Sequence, residues 1–220
     1  PVRVGLGRVR AAAIPEAFFA VWANLFGLGG ASRGQRALIH GGTSGIGTTA
    51  LMLCREFGIE AFATAGSPAK CAAISTFGGQ PINYREEDFA AVIAEKTAGQ
   101  GVNVILDIMG GSYFNSNVSA LAMDGRLVML GFLGGGKAND VDLLAILGKR
   151  AVVTGSLLRA RTAAEKSAIA DQLREHVWPV LSAGRCLPII DKVYALEEAA
   201  QAHAHMEAGD HIGKIVLKVN

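Results

Sequence analysis

Short, almost purely apolar runs alternate along the chain with longer segments whose apolar residues recur every three to four positions. The runs at 37–40, 61–64, 81–83, 102–108, 127–130 and 152–155 predict strands. The fourth is the strongest, five of its seven residues being Val, Ile or Leu. Helical spacing predicts helices over 46–57, ended by Gly58, over 68–77, ended by Gly78 and Gly79, over 86–97, and a long one over 162–181. Nearer the N-terminus, Pro15 opens an apolar run at 16–26 that Gly27, Gly29 and Gly30 stop. An Asp124-Gly125 pair marks a turn before the fifth strand. After Gly184 the pattern changes to a strand at 189–194, a helix at 196–208 and a strand at 214–219.

Strands that are apolar throughout, rather than alternating, are expected when helices cover both faces of a sheet. Regular strand–helix alternation predicts right-handed crossovers. The expected fold is therefore α/β: a doubly wound (Rossmann) parallel sheet of about six strands flanked by helices, with a C-terminal β-α-β segment. Residues 1–30 form a tail and lead-in helix, 31–184 the sheet domain and 185–220 the C-terminal segment.

Composition narrows the class. Of 220 residues, 50% are hydrophobic and 18% charged, which excludes a disordered chain. The 28 glycines lack a three-residue period and accompany only six prolines, which excludes collagen. A formal charge of +2, with the densest basic stretch confined to Arg3, Arg8 and Arg10 in the expected tail, gives no nucleic-acid footprint. The uncharged windows at 17–32 and 37–54 are broken by Asn, Gly, Thr, Ser and His, so no membrane span is expected, and no signal-peptide pattern opens the chain. The expectation is a cytoplasmic protein. Cys54, Cys71 and Cys186 are isolated, and His203 and His205 point to different faces of a helix, so neither disulfides nor a metal site is expected.

The glycine surplus concentrates where chemistry is expected. A buried strand runs into Gly41-Gly-Thr-Ser-Gly-Ile-Gly47 and then a helix, the setting of a dinucleotide loop. Free N–H groups at the helix start can donate to pyrophosphate oxygens, and Gly47 lets the helix pack closely on the strand. A tight turn without a ligand is the alternative. The spacing also fits the short-chain dehydrogenases, but Tyr84, Tyr113 and Tyr194 are followed four residues later by Asp88, Asn117 and Glu198, so their Tyr–Lys pair is absent.

Charge selects between nicotinamides. An NAD site holds its ribose with a carboxylate at the end of the second strand. Glu60 is at the wrong end of that strand, and the right end reads Ala65-Gly-Ser-Pro-Ala-Lys70. Ser67 can donate to a 2′-phosphate and Lys70 can neutralise part of its charge, favouring NADPH. Ser67 is also a natural helix N-cap before Pro68.

These residues, together with Ala12-Ala-Ile-Pro-Glu-Ala-Phe-Phe19, Ile82-Asn-Tyr-Arg-Glu-Glu-Asp88, Ile105-Leu-Asp-Ile-Met-Gly-Gly-Ser-Tyr113, Gly155-Ser-Leu-Leu-Arg159 and Ile212-Gly-Lys-Ile-Val-Leu217, resemble the quinone oxidoreductases of the medium-chain dehydrogenase/reductase superfamily. The resemblance is closest to the tumour-suppressor-inducible branch, with zeta-crystallin more distant. It implies that Thr43, Ser44, Gly45 and Ile46 hold the pyrophosphate, and that Gly66, Ser67, Lys70 and Tyr84 surround the adenosine end. Gly131, Phe132 and Leu133, with Ser156, Leu157 and Leu158, line the nicotinamide end, and Lys214 lies near a cofactor phosphate. Ala20 stands where the family often has a threonine near the nicotinamide. Full-length members begin with a catalytic domain, whereas this chain starts just before the Ala-Ala-Ile-Pro-Glu segment, so that half is expected to be absent. The final segment would then pack on the sheet domain or leave an exposed apolar face.

The resemblance implies hydride transfer from NADPH to a quinone or another conjugated carbonyl, with no catalytic side chain assigned. The alternative is an NADPH-binding module without turnover of its own. Relatives pair through edge strands, so a homodimer through the strand near Val152 is also implied.

Overall fold

The computed structural model describes residues 6–219. Arg3 of the expected tail and the terminal Asn220 lie outside the described residues. The rest of the tail departs from expectation: Arg8–Ala12 is helical (α1), and Leu6 packs on the core. Next come α2 (Ile14–Val21), β1 (Arg36–Ile39), α3 (Gly45–Phe57), β2 (Glu60–Ala65), α4 (Pro68–Thr76), β3 (Gln80–Asn83), α5 (Phe89–Lys96) and β4 (Val102–Asp107). The second half holds α6 (Phe114–Ala120), β5 (Leu121–Met129), α7 (Leu143–Lys149), β6 (Val152–Gly155), α8 (Ala163–Gln172), α9 (Trp178–Ser182), β7 (Ile190–Ala195), α10 (Ala199–Ala208) and β8 (Lys214–Lys218).

The first six strands form one sheet in the order β3-β2-β1-β4-β5-β6, every neighbouring pair parallel. The apolar strands explain this arrangement. Ala37 and Ile39 of β1, with Val104 and Leu106 of β4, join the core beneath α2 and α3. Leu38 and Ile105, one residue out of phase, join Phe89 and Ile93 of α5 on the other side. β1 and β4, at the centre of the sheet, thus bury both faces, and no polar alternation survives in them. The small side chains of Ala61, Ala63 and Ala65 all lie on the α3 face. The chain winds one way from β1 to β3 and the other way from β4 to β6, so a crevice opens where β1 and β4 diverge.

Three features escape the periodicity. The long helix expected at 162–181 is three pieces, because Pro179 has no N–H to donate and its ring crowds the preceding turn; a wide π-helical turn at Leu173–Val177 absorbs the mismatch. Another such turn, Trp22–Leu28, continues α2, with the Gly29 amide donating to the Asn24 carbonyl at 2.7 Å. Helices α6 and α7 lie outside what the pattern predicts. The Asn- and Ser-rich α6 has weak intrinsic propensity and is held by packing, with Asn117 and Val118 buried. The Asp124-Gly125 turn is present as a bulge within β5: the pairing jumps from Val102–Leu121 to Val104–Arg126, and Asp124 adopts φ 60°.

The C-terminal strands β7 and β8 pair parallel with each other, joined through α10. Both outcomes expected for this segment occur. It docks on the sheet domain, with the Gly213 amide donating to the Thr43 carbonyl at 2.8 Å, and it leaves Val193, Leu196, Leu217 and Val219 exposed.

Candidate functional site

The loop 41–47 sits at the carboxyl end of β1, in the crevice that the strand order creates. Ser44 caps α3, its hydroxyl accepting from the Gly47 amide at 3.0 Å. The amides of Gly45 and Ile46, at the first helical positions, have no intrahelical acceptor and remain available to an anion. Close approach dictates the glycines. A Cβ on Gly47 would collide with the Gly41 carbonyl, and one on Gly45 would collide with the aliphatic stem of Lys214. Thr43 is buried, and its carbonyl anchors Gly213.

Beneath the loop a buried relay holds its entry. The Gly41 amide donates to Thr64 Oγ1 at 3.3 Å, His40 Nδ1 lies 3.1 Å from the same hydroxyl, and His40 Nε2 lies 2.7 Å from Asn117 Oδ1. Because an amide oxygen only accepts, Nε2 carries the proton and Nδ1 accepts from Thr64. Burial lowers the His40 pKa from 6.5 to about 4, the Asn117 hydrogen bond opposing that shift in part, so the ring is neutral at pH 7. Asp107, buried at the end of β4, accepts from the Met109 and Gly110 amides at 2.7 and 3.1 Å. Its pKa is raised, desolvation outweighing those two bonds. The relay through His40 leaves no sequence signal, because its members are spread over β1, β2 and α6, and the pattern does not predict α6.

The adenosine end is built from the carboxyl end of β2. Ser67 caps α4 and accepts from the Lys70 amide at 3.4 Å, with Pro68 in the first turn. Lys70 Nζ donates to the Gly209 carbonyl of the C-terminal segment. Tyr84 packs against Gly66 so closely that a Cβ there would stand 2.5 Å from the phenol oxygen. Glu60, at the other end of β2, is paired with Arg36 at 3.1 Å and accepts from Gln80 at 2.7 Å, well away from Ser67.

At the other end lies a cleft of about 650 Å³ lined in part by Ala20, Asn24, Ile46, Ile108, Leu130 and Ser156. Leu157 and Leu158 also line it, so the three residues expected after β6 are brought to one wall. Gly131, Phe132 and Leu133 are not among the lining residues. They belong to the segment after β5, where the Leu133 amide donates to the Ile108 carbonyl at 3.0 Å, and the side chains of Phe132 and Leu133 are 56% and 79% exposed. Asn24, which sequence reasoning does not find, is fully buried and accepts from Ser156 Oγ at 2.6 Å while donating to the Ala20 carbonyl. Its only sequence signal is a lone amide inside an apolar run. Lys214 Nζ pairs with Glu16 at 2.7 Å, and Glu16 borders the cleft. Lys214 therefore spans from the loop to the cleft.

The amides at the start of α3 and the glycine cradle fit a nicotinamide dinucleotide. Among the described residues no group of three His, Cys, Asp or Glu side chains is placed to hold a metal ion, and no helix is long and apolar enough to cross a membrane. Burial pushes the Cys54 and Cys186 thiols up to about 12, which keeps them protonated and unreactive.

The zinc-binding dehydrogenase family pattern matches residues 78–217. The chain is 31% identical, over its whole length, to a phenolphthiocerol/phthiocerol polyketide synthase of Mycobacterium tuberculosis, of which it spans 10%. Among solved structures it is similar to the CurK enoyl reductase, with a TM-score of 0.84 and 26% identity over 100% of this chain and 65% of that one. It is also similar to a quinone oxidoreductase of Pseudomonas syringae, with a TM-score of 0.85 and 25% identity over 98% of this chain and 66% of that one. The chain thus covers about a tenth of that curated relative's length and about two thirds of each of these solved chains.

Proposed function

The chain belongs to the zinc-binding dehydrogenase family, and from that premise we propose that it is the cofactor domain of an NADPH-dependent reductase of conjugated carbonyl compounds. The observation that carries the reading is the glycine loop at the start of α3, whose Ile46 stands in the wall of the cleft that Ser156, Leu157 and Leu158 also line. An enoyl group and a quinone ring each carry an olefin conjugated to a carbonyl, so an enone acceptor unites the two kinds of reductase that the chain is similar to. The resemblance to the quinone branch stands here as one of two substrate classes, with the polyketide synthase relatives favouring the enoyl class.

When bound, the nicotinamide would supply the hydride. This chain's residues orient and shield it. The amides at the start of α3 would hold the pyrophosphate, Ser67 and Lys70 would select the 2′-phosphate, and Tyr84 would pack against the adenosine. Asn24 fixes the Ser156 hydroxyl at the cleft wall, and Ile108, Leu130 and Leu158 keep that wall dry. Ala20 supplies no hydroxyl where the family often has a threonine, and Ser156 supplies the hydroxyl of the cleft wall.

Following NADPH consumption at 340 nm with a short enoyl thioester and with a quinone, side by side, tests the reading. Enoyl-dependent oxidation above the buffer rate supports it; quinone turnover alone moves the assignment to the quinone class. The exposure of Leu157 at this end favours a second reading, a cofactor module whose turnover needs a covering surface. NADPH binding without consumption of either acceptor would establish that reading.

Pairing of two copies through β6 belongs to the same proposal. β6 has a neighbour on one side only, and α7 beside it exposes Leu143, Leu144 and Leu147. Light scattering would show a dimer that Leu144→Glu dissociates; a monomer at all concentrations would remove the pairing.

A further inference from the structure

The turn between α10 and β8, residues 209–213, joins the Lys70 side of the site to the phosphate loop. It is fastened at both sides, by Lys70 donating to the Gly209 carbonyl and by the Gly213 amide donating to Thr43. A third set of bonds supports it from behind. Tyr194 Oη lies 2.9 Å from His205 Nδ1, His205 Nε2 lies 3.3 Å from Asp191 Oδ2, and Asp191 Oδ1 accepts from the Ile212 amide at 2.9 Å. In the middle of this braced turn stands His211. Its Nδ1 is buried with no hydrogen-bond partner among the described residues, and its ring lies 6.4 Å from that of His205.

A buried ring nitrogen left unpaired is unfavourable, and the arrangement around this one makes it more so. The groups facing His211 are Lys70 on α4, Asp191 on β7, His205 on α10 and Lys214 on β8. The one carboxylate among them is already engaged by His205 and the Ile212 amide. Lys214 is balanced by Glu16 at 2.7 Å, whereas the Lys70 ammonium, held by the Gly209 carbonyl, acts on the imidazole with no carboxylate of its own. A phosphate bound beside Lys70 would supply the missing negative charge.

We propose that His211 is a specificity residue of the adenosine end, a third cationic group that takes up a proton when a 2′-phosphate docks beside Lys70. The inference rests on the dinucleotide reading of the groove. Without ligand, desolvation first and then Lys70 lower the His211 pKa below 6.5, so the ring is neutral at pH 7. A dianionic phosphate reverses the sign of the local field and favours the imidazolium. Affinity for a 2′-phosphorylated ligand then rises as pH falls from 8 to 6, while affinity for NADH, with a hydroxyl at that position, gains nothing from His211.

The test is calorimetric titration of the whole chain with NADPH, NADH, 2′,5′-ADP and 5′-ADP, at several pH values and in buffers of different ionisation enthalpy. Expected is net proton uptake with NADPH and 2′,5′-ADP that exceeds that with NADH and 5′-ADP. His211→Gln should abolish the excess and weaken NADPH about tenfold with NADH unchanged. His211→Arg, a permanent cation, should keep NADPH affinity but flatten its pH dependence. Proton uptake that persists in His211→Gln, or NADPH affinity that the substitution leaves intact, overturns the role of His211 while the dinucleotide reading stands. Failure of the native chain to bind either dinucleotide overturns both.

Discussion

The two ends of the groove are built on opposite principles. At the adenosine end the loop, α4 and the C-terminal turn are tied by named hydrogen bonds, and nearly every polar group has a partner. At the nicotinamide end one buried amide, Asn24, positions one hydroxyl, and apart from Glu16, Arg159 and Lys166 the cleft wall is apolar, with Leu157 standing open at 66% exposure. The difference teaches where binding energy and chemistry divide. On the proposed reading the closed end would bind and select the cofactor, and the open end would supply a wall that another surface completes.

The hardest test of the closed end is Gly47→Val. The added side chain meets the Gly41 carbonyl, so the loop cannot close, and NADPH binding should fall by roughly a hundredfold or more, near 3 kcal/mol. Fluorescence titration reads it; binding within a few-fold of the native chain would show that the loop is not the anion cradle.

Next in size is the pH dependence of the relay beneath the loop. The His40 pKa is lower folded than unfolded, so between pH 6.5 and 4 the unfolded chain binds the extra proton. Stability from this group is complete above 6.5 and is lost as pH falls toward 4, by roughly 3 kcal/mol. Asp107, with its raised pKa, acts the other way: its contribution is present at low pH and is lost as pH rises above its ordinary value. Comparing urea unfolding of the native chain and of His40→Leu across this window isolates the His40 contribution. Curves that stay parallel would contradict a neutral, buried His40.

A smaller effect separates the two nicotinamides. Lys70→Met should weaken NADPH about tenfold, near 1.4 kcal/mol, and leave NADH unchanged, so equal losses for both would make Lys70 a general anchor of the turn. Smallest is Leu157→Ala at the open end. An exposed leucine should change the melting midpoint by less than about 0.5 kcal/mol equivalent and cofactor affinity by less than about twofold, with any effect confined to turnover.

The same contrast explains what is legible in the sequence. The closed end is written in local signals: a strand running into Gly41–Gly47, and Ser67-Pro68 opening a helix at the end of β2. The six-strand doubly wound sheet follows from strands apolar on both faces. What stays hidden depends on contacts distant in sequence. Asn24 meets Ser156 across 132 positions and His40 meets Asn117 across 77, and neither pairing leaves a periodic trace. Helix α7, Leu143–Lys149, escapes the pattern although Asp142 caps it, because a leucine-rich segment with no buried residue does not show the spacing of a helix packed on a core. The break at Pro179 is visible as a proline but not as a π-helical turn, which depends on how α8 and α9 both reach the core. Phe132 and Leu133, assigned to the nicotinamide end by resemblance, fall outside the cleft lining, since the segment after β5 runs beside Ile108 and Met109 rather than over the cleft.

The central claim is that the closed end selects a 2′-phosphorylated dinucleotide. Titrating the native chain with NADPH and NADH in parallel at pH 7, by intrinsic fluorescence or calorimetry, tests it most directly. The account predicts saturable binding of NADPH with NADH at least about tenfold weaker. Equal affinity for the two, or binding of neither by a folded chain, would contradict it.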